Sequence, residues 1–392
     1  MIKKALILFF GVFLLMTTWV QAESFEESDV LGDWHVYAMD VDPTLGPYWF
    51  YANLSITGPT DVSGNIAAAD GSTMEITNGV ASIASDGHLS GSFTTGAGLT
   101  GTVINGLQDQ LHTIFSYVSV DTQNVLGFAI GVKAGKGYKT ADMAGEWRYY
   151  GIEIDPNLPG LYWITGDGEV DKDGIITSGT YSGADGTKID LTGGQFSLSA
   201  NGKVNATFEF DGGITSQVAD GMVDIQKTFA VFVTTNSAGG LGFDLALKKG
   251  GTYQPSDLEG NWTFYNFTID AINELVYWVY GTGTVDEGGN LTGSYTGPDS
   301  SVFNMSNGKA SLSATGEITG SFTIDGVGNE TIQSGFMDQN KSIIVFVGTS
   351  DTGQMDLGIG LRTSDLPASQ SKDDGGGDGG SDSVCFISSM IH

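Results

Sequence analysis

The chain has 392 residues, with 16 Lys and Arg against 46 Asp and Glu, a formal charge of −30. A surface this acidic repels phosphate backbones, which excludes nucleic acid and anionic membrane surfaces as partners. A single cysteine, Cys385, excludes an intramolecular disulfide, and 59 Gly against 8 Pro without a collagen period point to short strands joined by tight turns.

Residues 1–22 read as a secretory signal. Lys3-Lys4 is basic, Ala5 to Met16 is apolar, and Val20-Gln21-Ala22 places small residues before Glu23. The apolar run is short for a bilayer span, so cleavage is expected, leaving an exported chain with no transmembrane span.

The chain then states one segment three times. Its first copy holds Gly32-Asp33-Trp34, Asp42-Pro43 and Tyr48-Trp49. The second holds Gly145-Glu146-Trp147, Asp155-Pro156 and Tyr162-Trp163, and the third Gly260-Asn261-Trp262, Asp270 and Tyr277-Trp278. The opening tryptophans lie 113 and 115 residues apart, and the Asp follows each by eight residues. These offsets predict three tandem units of one fold: residues 28–135, 141–250 and 256–364. Each is long enough to bury its own core. The joints at 135–140 and 250–255 are short, so neighbouring units are expected to touch.

Within a unit the apolar period is two. Asn261 to Phe267 and Val279 to Val285 alternate apolar and polar residues, as does Ile318 to Ile324. Pairs such as Asp86-Gly87, Asp173-Gly174, Asn201-Gly202 and Thr315-Gly316 supply hairpin turns. No 12-residue window shows a helical face. The prediction is an all-β chain of eight or nine strands per unit, each unit an antiparallel meander closed into a barrel that removes its edges. The alternative is a propeller-like ring of small sheets.

The opening Gly-x-Trp (Gly32/Trp34, Gly145/Trp147, Gly260/Trp262), followed by about 100 residues of meandering strands, resembles the lipocalin-type up-and-down barrels. That resemblance implies that each Trp plugs a closed barrel end. The units are shorter than most lipocalins and lack their disulfide and C-terminal helix.

The Tyr-Trp pairs are candidate ligand-binding residues: Tyr48, Trp49, Tyr162, Trp163, Tyr277 and Trp278. Adjacent strand residues point to opposite faces, so one ring of each pair enters the core and the other faces out or into a neighbour. An aromatic platform for a small apolar ligand or a glycan competes here with core and inter-unit packing. Asp42, Asp155 and Asp270 are candidate Ca²⁺ ligands, against the simpler role of capping their loops. A third recurrence joins Asp109, Asp224 and Asp338 to His112, Lys227 and Lys341, three residues on. It reads as a hairpin turn bridged by an exposed ion pair.

No catalytic set stands out. Of His35, His88, His112 and His392, only His112 sits at a repeated position, where the other units have Lys. The tail, residues 365–392, is a Gly/Asp-rich linker ending in Val384-Cys385-Phe386-Ile387. It resembles the CFI-box C-terminal tails of secreted bacterial proteins, which implies sorting to, or attachment at, the cell surface through Cys385. The expected function is a secreted or surface non-enzymatic repeat protein, structural or adhesive. A binding module for small apolar or carbohydrate ligands is the alternative, and a polysaccharide-acting enzyme the third reading.

Overall fold

The computed structural model describes residues 24–154, 161–273 and 275–363. It contains three closed antiparallel barrels of eight strands each, in up-and-down order. The propeller alternative is thereby replaced. Every barrel closes by pairing its first strand (Gly32–Asp42, Gly145–Ile154, Gly260–Asp270) with its second and its eighth (Leu126–Lys133, Leu241–Lys248, Gln354–Arg362). Among the described residues there is no α-helix, only short 3₁₀ turns.

One end of each barrel is shut by the repeated tryptophan. Trp34, Trp147 and Trp262 are buried, and their indole N–H groups donate to Val30, Met143 and Leu258 at 2.8, 2.7 and 2.9 Å. A cation from the eighth strand lies over each ring: Lys133 at 5.3 Å, Lys248 at 5.6 Å and Arg362 at 4.5 Å. The 3₁₀ turn that leads in is held by an Asp that accepts a backbone N–H three residues back. Asp29, Asp142 and Asp257 take Glu26, Lys139 and Gln254 at 2.7, 2.9 and 2.8 Å.

The turn containing Asp109, Asp224 and Asp338 differs from the exposed ion pair expected above. All three carboxylates are buried. Asp338 accepts the N–H groups of Asn340, Ser342 and Ile343 at 2.8, 2.8 and 2.7 Å, and its two counterparts repeat the pattern. Three donors orphaned by the turn are satisfied by one side chain. His112, Lys227 and Lys341 hold the left-handed region at φ 58, 63 and 60°. They reach instead to the 3₁₀ turn, pairing with Asp29, Asp142 and Asp257 at 2.9, 2.8 and 2.8 Å.

The barrels pack into a closed ring of three. Each contributes outward faces of its first, second, seventh and eighth strands to one shared core, separate from the three barrel interiors. The seventh strands carry the reason: Ile114–Val118, Phe229–Val233 and Ile343–Val347 are buried on both faces, as near-continuous apolar runs require. Three tyrosines close the ring. Tyr37 of the first barrel donates to Asp220 of the second at 2.8 Å. Tyr150 of the second accepts from Ser334 of the third at 3.3 Å, and Tyr265 of the third donates to Asn105 of the first at 2.9 Å. Asn105, Asp220 and Ser334 each follow a register shift in the sixth strand of their barrel. The bulge turns them outward to the neighbour. The interface is thus head-to-tail and closes after three copies, as a heterologous contact must to avoid propagating.

Candidate functional site

The two rings of each Tyr-Trp pair separate as strand geometry demands. The tryptophans go to the shared core. Trp49 donates to the Thr234 carbonyl at 3.0 Å, Trp163 to the Thr349 hydroxyl at 3.2 Å, and Trp278 to the Ser119 carbonyl at 3.0 Å. Each bond crosses to the next barrel. Tyr48, Tyr162 and Tyr277 sit on the other face, at the barrel end opposite the plug, here termed the mouth. Tyr48 bonds the Asp40 carboxyl, and Tyr277 accepts from Gln354 at 3.3 Å.

Of the repeated acids, Asp42 accepts the N–H groups of Thr44 and Leu45 at 2.6 and 2.9 Å. Asp270 accepts those of Ile272 and Asn273 at 3.2 and 3.0 Å. Both carboxylates cap the hairpin between first and second strands. Asp155 lies outside the described residues, as do Cys385, the tail and residues 1–22. Among the described residues no group of three or more His, Cys, Asp or Glu is arranged to hold a metal ion.

The interiors are nearly filled. The cavities inside the first, second and third barrels measure about 80, 70 and 20 Å³. Each is apolar toward the Trp plug; the second is lined by carboxyl groups near the mouth, and in the other two barrels the acids stand beyond the cavity lining. In the first barrel this acid is Asp40, six residues after Trp34. Burial, and next the charge of Asp121, hold its carboxyl well above the ordinary range. In the third barrel Thr268 occupies that register and donates to Asp356. Asp356 is pushed up to about 6 by burial. Glu330 beside it is pushed up by burial and then by the charge of Asp356.

In the middle barrel the same register holds Glu153, joined by Asp244 from the eighth strand. Thr234 donates to Asp244 at 3.2 Å, and burial pushes Asp244 up to about 7. These groups converge over Gly242. A Cβ there would stand 2.3 Å from the Thr234 hydroxyl, 2.8 Å from Glu153 Oε1 and 3.0 Å from Asp244 Oδ2. A Cβ on Gly151 would meet Asp244 Oδ1 at 2.2 Å. Both positions therefore need glycine to admit the carboxyl pair.

Above this pair the middle barrel opens into a groove of about 1060 Å³. Leu161, Phe210 and Ile214 line its barrel side. Ile269, Leu275 and Val276, from the first two strands of the third barrel, form the opposite wall. Glu153, Tyr181 and Phe210 line both the groove and the inner cavity, so the two communicate. Sequence reasoning missed Glu153 and Asp244. The available signal was a carboxylate in the inward register of each strand, after Trp147, Tyr149 and Gly151 in the first and between Gly242 and Ala246 in the eighth.

No protein-family model matches the chain, and no curated protein sequence matches it. Solved structures similar to it include a transferrin binding protein B double mutant from Haemophilus parasuis, at 11% identity and a TM-score of 0.28, covering 85% of this chain and 75% of that one. A protein of unknown function from the DUF3598 family of Nostoc punctiforme shares 12% identity at a TM-score of 0.22, covering 56% and 96%. Kievitone hydratase from Nectria haematococca shares 11% at a TM-score of 0.21, covering 87% and 93%. Superpositions this loose carry no inference about ligand or activity.

Proposed function

We propose that the chain is an exported, non-enzymatic binding module. Three fused barrels form a rigid scaffold, and the mouth of the middle barrel holds a small, mainly apolar ligand. The groove of about 1060 Å³ carries this reading. Ligand sites run to about 300–1,000 Å³, mostly apolar with a few convergent polar groups. The barrel interiors, at about 80, 70 and 20 Å³, fall well below that range. The tryptophans of the Tyr-Trp pairs serve the scaffold, since their indoles bridge barrels. Hydrolysis of a polysaccharide is disfavoured by depth. Asp244 is buried in the barrel wall, whereas glycoside cleavage needs two carboxyls open to a sugar chain and flanking one bond.

Nile red fluorescence tests the groove. The wild-type chain should enhance it saturably. Ile214→Asp with Leu275→Asp, both exposed positions on the rim, should weaken uptake at least tenfold without changing the melting temperature. Absence of uptake, or uptake indifferent to the double substitution, refutes the reading. Surface display through the tail is a separate proposal. It predicts that Cys385→Ser releases the chain from cells into the medium, and equal distribution of the two forms removes it.

A further inference from the structure

We infer that the ligand of the middle-barrel groove is a protonated amine carried on an apolar body. This rests on the groove being a binding site and specifies what it selects. Three observations carry it.

The first is the oxygen cluster over Gly242. Glu153 Oε1, Asp244 Oδ2 and the Thr234 hydroxyl all lie within 3.0 Å of the point a Cβ would occupy. Asp244 is only 4% exposed. A carboxyl placed there at the cost of desolvation, against glycines that leave room for nothing else, is a built feature. An ammonium group is the complement to such a set: it donates in several directions and returns the charge that burial opposes.

The second is the surrounding wall. Tyr149, Tyr181 and Phe210 form a continuous aromatic row beside the carboxyls, with Tyr149–Tyr181 and Tyr181–Phe210 centroids 6.2 and 5.7 Å apart. Ring faces next to carboxylates attract a cation twice over, by charge and by the ring quadrupole.

The third is the sign of the lining. Glu153, Asp185 and Asp270 face the groove, and its described lining includes no Lys, Arg or His. A fatty acid or other anion entering it meets like charge only. The oxygen set is partly repeated in the first barrel, where a Cβ on Gly127 would stand 2.5 Å from the Ser119 hydroxyl and 2.8 Å from Asp40 Oδ1; what the middle barrel adds is the groove of about 1060 Å³ that leads to it.

Three probes sharing one aromatic body decide the matter: 1-naphthylmethylamine, 1-naphthalenemethanol and 1-naphthylacetate, titrated calorimetrically against the full chain at pH 8. The amine should bind at least tenfold more tightly than the alcohol, and the acetate most weakly. Glu153→Gln should cost the amine at least tenfold more affinity than it costs the alcohol. Asp244→Asn should do the same. If that variant fails to fold, Glu153→Gln alone decides. Equal affinity of the three probes, or amine binding indifferent to Glu153→Gln, overturns the amine inference and leaves the groove reading standing. Binding of none of the three, together with no Nile red uptake, overturns both.

Discussion

The Asp of the repeated turn is the sharpest test of how these barrels are held together. Asp338 is buried at 1% exposure and accepts three backbone N–H groups at 2.7–2.8 Å. Oδ1 takes Ser342 and Ile343, and Oδ2 takes Asn340. Asp338→Ala leaves three buried donors without an acceptor. At about 1–2 kcal/mol for each unsatisfied donor, the loss is roughly 3–6 kcal/mol. That is a large part of the ~5–15 kcal/mol that holds a typical domain folded. Asp338→Asn is the discriminating variant. Its amide oxygen can retain the two bonds at the Oδ1 position, while its NH₂ opposes the Asn340 N–H. The cost should fall to about 1–2 kcal/mol, the value of one lost bond. Urea unfolding followed by tryptophan fluorescence reads the difference. Asp109→Ala and Asp224→Ala provide internal replicates in the other barrels and should cost comparable amounts. A loss under about 1 kcal/mol for Asp338→Ala, or equal losses for Ala and Asn, refutes the turn-anchor reasoning.

The buried acids set the pH dependence. Glu330, Asp356 and Asp244 all titrate above their ordinary values of 4.5, 3.8 and 3.8 when folded, chiefly through burial. The folded chain therefore holds more protons than the unfolded chain between about pH 4 and the raised values, about 6 for Asp356, about 7 for Asp244 and about 10 for Glu330, and stability falls as pH rises across that window. The melting temperature should be higher at pH 5 than at pH 8, and Glu330→Gln should raise the pH 8 value and flatten the slope; a rise from pH 5 to 8 contradicts this. Trp49→Ala, which empties part of the shared core, should cost about 3–5 kcal/mol in urea unfolding, and a cost near zero would mean that the ring contact is not stabilising. Tyr265→Phe should cost about 1 kcal/mol, a neutral hydrogen bond to Asn105. Tyr37→Phe should cost more, about 1.5–3 kcal/mol, because buried Asp220 keeps only its ion pair with Lys203 at 2.5 Å. Equal losses for the two tyrosines would refute the distinction.

Much of the barrel was legible in the residues. Period-two alternation, Asp-Gly and Asn-Gly turns and the thrice-stated Gly-x-Trp are local signals, and local signals decide strand identity, strand count and antiparallel order. The splitting of each Tyr-Trp pair followed from the same alternation. The buried turn acids were misread as exposed because a Gly-x-x-Asp turn looks the same in sequence whether or not a neighbouring element covers it. Burial is a property of what packs over a residue.

What tertiary packing alone decided is the ring and the groove. The apolar runs Ile114–Val118, Phe229–Val233 and Ile343–Val347 announce a second buried face without stating what covers it. That each first strand packs on the seventh strand of the next barrel while its tyrosine reaches the sixth, and that the third barrel returns to the first, depends on the rotation between rigid bodies. No residue encodes that angle by itself. The site has the same origin. Glu153 and Asp244 are 91 residues apart and meet only because the first and eighth strands close the barrel. The wall supplied by Leu275 and Val276 arrives from another barrel altogether. Pairing between strand neighbours is written in short-range pattern, whereas convergence of distant side chains is set by closure and docking.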